Sequence, residues 1–564
     1  MINALKLRIK NNLEKYFQEK YNMEINIVVE EPKKLELGDL SIPAFVISKV
    51  LKKPLIDCAN ETKEYLLTFD FIKNVTITGG FINLIIDKEN ISYDIIKDCL
   101  EKDSKFANGE KNNKNIVIDY SSPNIAKPFS IGHLRSTIIG NSLKLIFEKA
   151  GYNVIGINHL GDWGTQFGKV IYAYEKWGNE ETVKANPLKE LSKLYVKFHE
   201  ESAKDPSLDD EARRIFKLLE DNDPYYNKLW AWFREESLKE SMEMYDLLGV
   251  SFDSYDGEAF FNDKMEPVVE ELDSKGLLEI DDSATIVNLG DDMPPALIKR
   301  RDGATLYITR DLAALFYRKF TYKFDKVLYV VGNEQKLHFK QLKTIVDKMG
   351  YDFVDDIIHV GFGLVMRDGK KMSTRKGGVV TLYEVLQEAI KLSYEAIEAK
   401  NPLLENKDEV ARNVGVGAVM FNDLKNHRNL DIEFDLNQMV KFEGQTGPYL
   451  QYTSVRIKSI LRTNTYDVNN VSKEVFAKDH YYEIVKLISQ FGNTINKACE
   501  EYAPSVIAKY LLNLAQAFNK FYSLEKIASP IEEVKNANMA LANAVKNVLD
   551  EGLRLLGLKS LERM

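Results

Sequence analysis

The chain has 564 residues, too many for a single hydrophobic core, and at the usual domain size it divides into about three or four units. With 45% hydrophobic and 29% charged residues, and only 31 glycines and 15 prolines, it falls outside the collagen-like and largely disordered classes. The formal net charge of −9 argues against indiscriminate coating of nucleic acid. That charge is uneven, at −2 over residues 1–110, −10 over 111–440 and +3 over 441–564, so a local basic groove is compatible with the total.

The opening MINALKLRIKNNLEKYFQEKY mixes charged and apolar residues at helical spacing, without the apolar core of a signal peptide. No window approaches the ~20 apolar residues of a membrane span, so a cytoplasmic protein with no membrane contact is expected. Cys58, Cys99 and Cys499 lie far apart with no CxxC pair. They suit core filling rather than disulfides or a metal site.

In chain order, the first hundred or so residues combine helical and strand patterns, and IKNVTITGGFINLIID alternates polar and apolar residues about a Gly-Gly turn, as a half-buried hairpin does. FANGEKNNKN (106–115) is polar and aperiodic, a domain boundary. NIVIDY (115–120) has the β-branching and length of a buried parallel strand, and SSPNIAKP is a loop broken by two prolines. A helix is expected from about Gly132 to a cap at Gly151, then a strand in YNVIGIN (152–158). DKVLYVV (325–331), a helix from about Leu337 to Met349, and DIIHVGFG (356–363) repeat the strand–helix–strand plan. Two such units predict a doubly wound parallel sheet of Rossmann type, interrupted by a mostly helical insertion at about 170–290. From about residue 385 helical periodicity dominates, and Pro504-Ser505 opens a helix with Ile507, Leu511, Leu514, Phe518 and Phe521 on one face. The expected architecture is a multidomain α/β protein. It has an α+β domain at 1–110, the Rossmann-type domain at 111–440 and an all-α domain at 441–564.

Two loops carry the chemistry. SSPNIAKPFSIGHLRST leaves the carboxyl end of a parallel strand and enters a helix, where unpaired N–H groups and a positive dipole favour phosphate. Gly132 lets a nucleotide approach the backbone, and His133 can donate to a phosphate. LVMRDGKKMSTRKGG places Lys370, Lys371, Arg375 and Lys376 between glycines, the composition of a cationic loop that folds over polyphosphate.

Together the two loops resemble the HIGH and KMSKS signatures of class I aminoacyl-tRNA synthetases, standing here as Ser130-Ile131-Gly132-His133 and Lys371-Met372-Ser373-Thr374-Arg375. Serine replaces the first histidine and threonine-arginine replaces the second lysine. These are the departures seen in arginyl-tRNA synthetases, where the missing lysine is linked to one just ahead of the first motif, and Lys127 stands there. NHLGDWGTQFGK (158–169), LYITRDLAA (306–314), VVGNEQKLHF (330–339), GQTGPYLQYTSVR (444–456), the terminal LERM, and GDLSIPAF and GGFINL near the start are also similar to that family.

The resemblance implies ligation of L-arginine to the 3′ end of tRNA(Arg) through an adenylate, with ATP and Mg2+ as the substrate complex and no dedicated metal site. Such chemistry mainly needs the charge on the reacting phosphate positioned and stabilised. It assigns Lys127, His133, Lys371 and Arg375 to catalysis. ATP is assigned to Ser130, Gly132, His133, the 364–366 segment (Leu364, Val365, Met366), Lys371 and Ser373. For arginine, a planar five-donor guanidinium calls for carboxylates and a flat aromatic wall. Asp119 at the strand end, and Tyr307 with Asp311 one helical turn on, supply them. Ser121 belongs to the same loop. By resemblance, Asn124 and Gln335 hold the α-amino and carboxylate ends, and His159 borders the pocket. The N-terminal domain is implied to bind the tRNA elbow, with Phe81 stacking and Asn83 pairing, although Phe81 equally suits a strand core. In the anticodon-domain signature, Tyr452 and Arg456 are assigned to tRNA, while Gln451 reads as helix packing with an internal hydrogen bond. Further aromatic and Asn/Arg groups near 464–475 suit splayed bases.

Arginine is distinguished by charge and shape, so no editing domain is required, and the insertion is left for the tRNA acceptor end. A monomer is expected. A small nucleotidyltransferase of the same superfamily would share the first loop but has no use for the terminal regions, and a non-catalytic RNA-binding descendant would be expected to lose His133 or Lys371.

Overall fold

The computed structural model describes residues 2–32, 37–124, 129–300, 307–367, 369–372, 374–375, 378–379 and 381–564. Two compact units emerge, and neither is one continuous stretch of chain. The first comprises Met1–Ala107, Arg456–Asn493 and Leu512–Glu551, and the second comprises Asn108–Val455, Thr494–Leu511 and Gly552–Met564.

In the first unit the Gly-Gly signal forms the expected hairpin. Strands Ile72–Thr78 and Phe81–Ile86 pair antiparallel with Thr78 opposite Phe81. Gly79 and Gly80 take φ of 58° and 83°, the left-handed pair that a tight hairpin turn requires. Strand Leu40–Pro43 adds to the other side of Phe81–Ile86. Helices Ile2–Tyr21, Ala44–Leu51 and Leu55–Leu66 are part of the same fold, and Ile9, Leu13, Phe17, Ile47, Leu66, Val75, Ile82 and Leu84 form a common core. The later segments of this unit are helical, and the buried Tyr481 hydroxyl donates to Asn538 at 2.7 Å.

In the second unit, strands Asn115–Asp119, Asn153–Ile157, Lys326–Tyr329 and Ile357–His359 form one parallel sheet. Its order runs from Ile357–His359 through Lys326–Tyr329 and Asn115–Asp119 to Asn153–Ile157. The chain thus leaves Asn115–Asp119 to one side first and reaches the other side only after the insertion. That reversal opens a crevice at the carboxyl end of Asn115–Asp119, where doubly wound folds bind ligands. Helix Ile131–Lys149 follows the first strand, and Lys336–Lys348 connects the last two. The insertion is mostly helical, from Thr165–Trp177 through Pro224–Leu248 to Met265–Ser274, and ends in a three-stranded antiparallel sheet over 278–299.

The C-terminal region is all-α among the described residues. Helices Gly447–Thr463, Asp479–Ser489, Phe491–Glu500, Ser505–Leu524 and Glu532–Leu555 account for it. Ile507, Leu511, Leu514, Phe518 and Phe521 are all buried, as the periodicity predicts. The three cysteines are buried thiols outside any disulfide. Among the described residues no helix is long and apolar enough to cross a membrane.

Candidate active site

The crevice begins with an unusual turn. Directly after Asp119 and Tyr120, Ser121 and Ser122 both adopt left-handed φ, 74° and 45°. Consecutive non-glycine residues in that region cost free energy and persist only where their surroundings hold them. The holders are visible. The Ser121 amide donates to Ser136 Oγ at 2.9 Å, and Ser136 donates to the Val330 carbonyl at 2.6 Å. Ser122 Oγ donates to Asp119 Oδ1 at 2.9 Å. One step further, Asn124 forms a backbone bridge with Gly161, and a Cβ on Gly161 would lie 3.1 Å from the Asn124 Cα. Glycine at 161 therefore lets the loops at the ends of two neighbouring strands touch.

Ser130 caps the helix Ile131–Lys149, and its amide donates to His133 Nδ1 at 3.1 Å. With Nδ1 accepting, the neutral ring carries its proton on Nε2, the form that donates to an anion. Gly132 is exposed, and among the described residues a side chain there would approach only Ser130 Oγ, at 3.5 Å.

The second loop is tied to the first. Ser130 bridges Thr381, and the Leu382 amide donates to the Phe129 carbonyl at 2.9 Å. Strand Val365–Arg367 pairs with Lys370–Lys371 on one side and Ile432–Glu433 on the other, and Thr374–Arg375 pairs with Gly378–Val379. Several polar groups of the 364–366 segment are already used. Leu364 N–H donates to Asp431 Oδ1 at 2.7 Å, and the carbonyls of Leu364, Val365 and Met366 accept from Ile432, Met372 and Phe434. Lys127 and Ser373 lie outside the described residues, and Lys371 and Arg375 are described only by their backbone.

A buried ion pair joins these parts. Arg135 Nε lies 3.0 Å from Asp423 Oδ2, with both side chains almost fully buried, and its other nitrogens donate to the carbonyls of Leu430 and Arg428 at 2.9 and 3.2 Å. Because Gly363 N–H donates to Arg428 O, this clamp links the first-motif helix to the strand of the second.

The acids expected to receive a guanidinium differ sharply from one another. Asp119 is buried, and its Oδ2 lies 2.8 Å from Arg318 Nη1, a guanidinium of the protein itself. Asp311 is partly exposed, and its Oδ2 lies 2.6 Å from His338 Nε2. Burial alone would raise the Asp311 carboxyl, but His338, helped by His159 and Arg318, outweighs it and holds the group below its usual range. Burial pushes the His159 imidazole down and Arg318 adds to this, against Asp119, Asp311 and Asp162. Asp119, His159, Asp311 and Arg318 therefore form one electrostatic cluster. Tyr307 stands one turn before Asp311 and is 63% exposed, so its ring is open to a ligand. Gln335 is exposed on the short turn Asn333–Gln335, three residues before His338.

Two of the expected residues already have partners. The Ser121 hydroxyl is buried at 2.8 Å from both Tyr245 and Thr137. The Asp119 carboxylate faces Arg318.

Another acid, absent from the sequence expectations, lies within electrostatic reach of Asp311. Glu258, from the insertion, lies 3.8 Å from Arg310 Nη1, and burial pushes its carboxyl up to about 7 against the pull of Arg310, with Asp311 and Asp162 adding to the rise. Asp162 serves the scaffold: its side chain accepts from Arg234 and from the Ala259 amide, and its carbonyl accepts from Trp230, at 2.7, 2.9 and 2.8 Å. One signal for Arg318 was present. It follows Asp311 by seven residues and so shares its helix face.

The description "tRNA synthetases class I (R), catalytic domain" matches residues 95–436, "Arginyl tRNA synthetase N terminal domain" matches 3–86, and "DALR anticodon binding domain" matches 450–564. The chain belongs to the arginyl-tRNA synthetases. Among curated arginyl-tRNA synthetases (arginine-tRNA ligases), that of an Exiguobacterium species is 52% identical over 96% of both chains. That of Ligilactobacillus salivarius is 50% identical over 99% of this chain and all of its own. The solved arginyl-tRNA synthetase of Thermus thermophilus shares the fold, with a TM-score of 0.79 at 22% identity over 99% of this chain and all of that one.

Outside the crevice, the residues assigned to tRNA divide. Phe81 is half-buried and meets the exposed Phe45 edge-to-face at 5.6 Å. Asn83 is buried, and its amide oxygen accepts from Ser41 Oγ at 2.9 Å inside the sheet, which withdraws that oxygen from a nucleotide. Gln451 is fully buried and donates to the carbonyls of Lys559 and Asn413 at 2.9 and 3.4 Å, in keeping with a packing role. Tyr452 is 38% exposed. Arg456 donates to Asn519 at 2.9 Å and lies 5.2 Å from the Tyr522 ring.

Proposed function

We propose that this arginyl-tRNA synthetase activates L-arginine with ATP and transfers it from arginyl-adenylate to the 3′ end of tRNA(Arg), releasing AMP and pyrophosphate. The full-length match to arginyl-tRNA synthetases carries the reading, and the crevice agrees with it. One side offers a helix N-terminus with exposed Gly132 and with His133, whose Nε2–H can donate to a phosphate oxygen. The other offers acids and an open aromatic ring.

ATP lies along Ser130, Gly132 and His133 and against the 364–366 segment, carried by Mg2+ that comes with the nucleotide. Lys127, Lys371, Ser373 and Arg375 take their place at the phosphates from their motifs. The guanidinium enters between Asp311 and the Tyr307 ring, with Glu258 as a second acid. Asn124 and Gln335 receive the α-amino and carboxylate ends, and His159 lines the wall. Asp119 shapes this wall through Arg318. Residues 1–110 bind the tRNA elbow, with Phe81 and its neighbour Phe45 as the stacking surface, the insertion at about 170–290 contacts the acceptor end, and 441–564 bind the anticodon region through groups such as Tyr452 and Arg456. The enzyme acts as a cytoplasmic monomer.

The test is esterification of tRNA by radioactive arginine, lysine and citrulline with ATP and magnesium. Arginine alone is charged. Citrulline keeps the shape and loses the charge, so citrulline charging equal to that of arginine would refute an acid-based pocket. A lighter-than-dimer mass in solution by light scattering checks the monomer.

A further inference from the structure

The long insertion helix Pro224–Leu248 sends one hydroxyl into the strand-end turn. Tyr245 is fully buried, its ring set against Phe129 at 5.6 Å and Phe252 at 4.9 Å. Its hydroxyl accepts from Asn158 Nδ2 at 2.9 Å and lies 2.8 Å from Ser121 Oγ. Ser121 Oγ in turn lies 2.8 Å from Thr137 Oγ1, which lies 2.8 Å from the His133 carbonyl.

Each hydroxyl has one proton, and a carbonyl only accepts. Thr137 is placed to give its proton to Ser121 Oγ or to the His133 carbonyl, and of the Ser121 and Tyr245 hydroxyls one donates to the other. The result is a connected run of hydrogen bonds from Asn158 through Tyr245, Ser121 and Thr137 to the carbonyl of the motif histidine. Buried chains of this kind hold a single geometry, and breaking one link leaves its neighbours unpaired.

The chain starts just past strand Asn153–Ile157, passes the left-handed Ser121 and ends in the first turn of helix Ile131–Lys149. It crosses the point where the arginine half and the phosphate half of the crevice meet. We propose that Tyr245 is a positioning residue for arginine: its hydroxyl holds the strained Ser121–Ser122 turn, and with it Asp119 and Asn124, in the register that accepts the amino acid. The inference rests on the synthetase reading above.

The test compares Tyr245→Phe, Ser121→Ala, the double variant and Tyr481→Phe, which removes a buried tyrosine hydrogen bond of similar length from the other unit. Phenylalanine keeps the packing of the Tyr245 ring. Tyr245→Phe raises KM for arginine roughly tenfold and leaves KM for ATP within about twofold, because Thr137 can still donate to His133. Tyr481→Phe lowers the thermal midpoint to a similar degree without moving KM for arginine. The double variant is no worse than the poorer single one, since both break the same chain. An arginine KM for Tyr245→Phe within twofold of wild type overturns the proposal, as does a double variant whose losses multiply. Failure of the wild-type enzyme to charge arginine would instead refute the synthetase reading.

Discussion

Asp119 and Asp311 are both aspartates of the same crevice, yet they serve it differently. Asp119 faces a buried arginine of its own chain at 2.8 Å. Asp311 faces a histidine and remains partly open to solvent. A guanidinium from solution can displace or share a histidine partner. It gains nothing at a carboxylate that already holds a permanent guanidinium in a site closed to water. An acid in an amino-acid pocket is thus a receptor only when its resting partner is exchangeable.

The largest effect belongs to the closed pair. Asp119→Ala leaves Arg318 buried and uncompensated, so stability falls by about 3–5 kcal/mol. Pairing it with Arg318→Met restores part of that loss in a denaturant titration. Stability unchanged in the single variant would mean that Asp119 is open after all.

The open acid responds in binding rather than folding. Asp311→Asn keeps size and hydrogen-bonding capacity but removes charge, so arginine binding weakens by roughly 2–3 kcal/mol while ATP binding and the melting temperature stay close to wild type. An arginine KM within twofold of wild type would remove Asp311 from the guanidinium site.

Glu258 sharpens the contrast because it titrates within reach. Its folded value of about 7 lies above the usual 4.5, so its contribution favours folding below about pH 4.5 and is lost as pH rises to about 7. Arginine binding runs the other way, since only the ionised carboxylate attracts the guanidinium. KM for arginine should fall several-fold between about pH 6 and 8, toward the tenfold-per-unit limit of a single ionisation. Glu258→Gln flattens that profile and removes the stability loss. A profile unchanged by Glu258→Gln would place Glu258 among scaffold acids such as Asp162.

The smallest effect is expected at the buried pair on the nucleotide side. Arg135→Lys keeps the charge beside Asp423 but loses the fork that grips two carbonyls. KM for ATP rises about threefold with arginine KM unmoved, a change of about 0.65 kcal/mol at the low end of the net contribution of one hydrogen bond.

Much of this was legible along the chain, because it depends on local patterns. β-branched runs marked the four core strands, Gly79-Gly80 marked the hairpin, and the apolar stripe from Ile507 to Phe521 marked its helix. The order of the motifs around an insertion implied the doubly wound sheet, and the pattern after the first strand placed Gly132 and His133 at the start of a helix. What the chain could not disclose were the partners chosen across long separations. Glu258 and Arg310, and Tyr245 and Ser121, meet only after the insertion folds back on the sheet, and Asp119 meets Arg318 only when the helix Tyr307–Tyr322 packs against its strand. A free carboxylate and a neutralised one have the same letter, as do an open serine and one locked in a hydroxyl chain. Local patterns along the chain determined the strands, turns and helices that frame the crevice. Only tertiary structure decided which residues arrive there with their charge or proton already spoken for, because burial turns a pairing of little consequence in water into a fixed one.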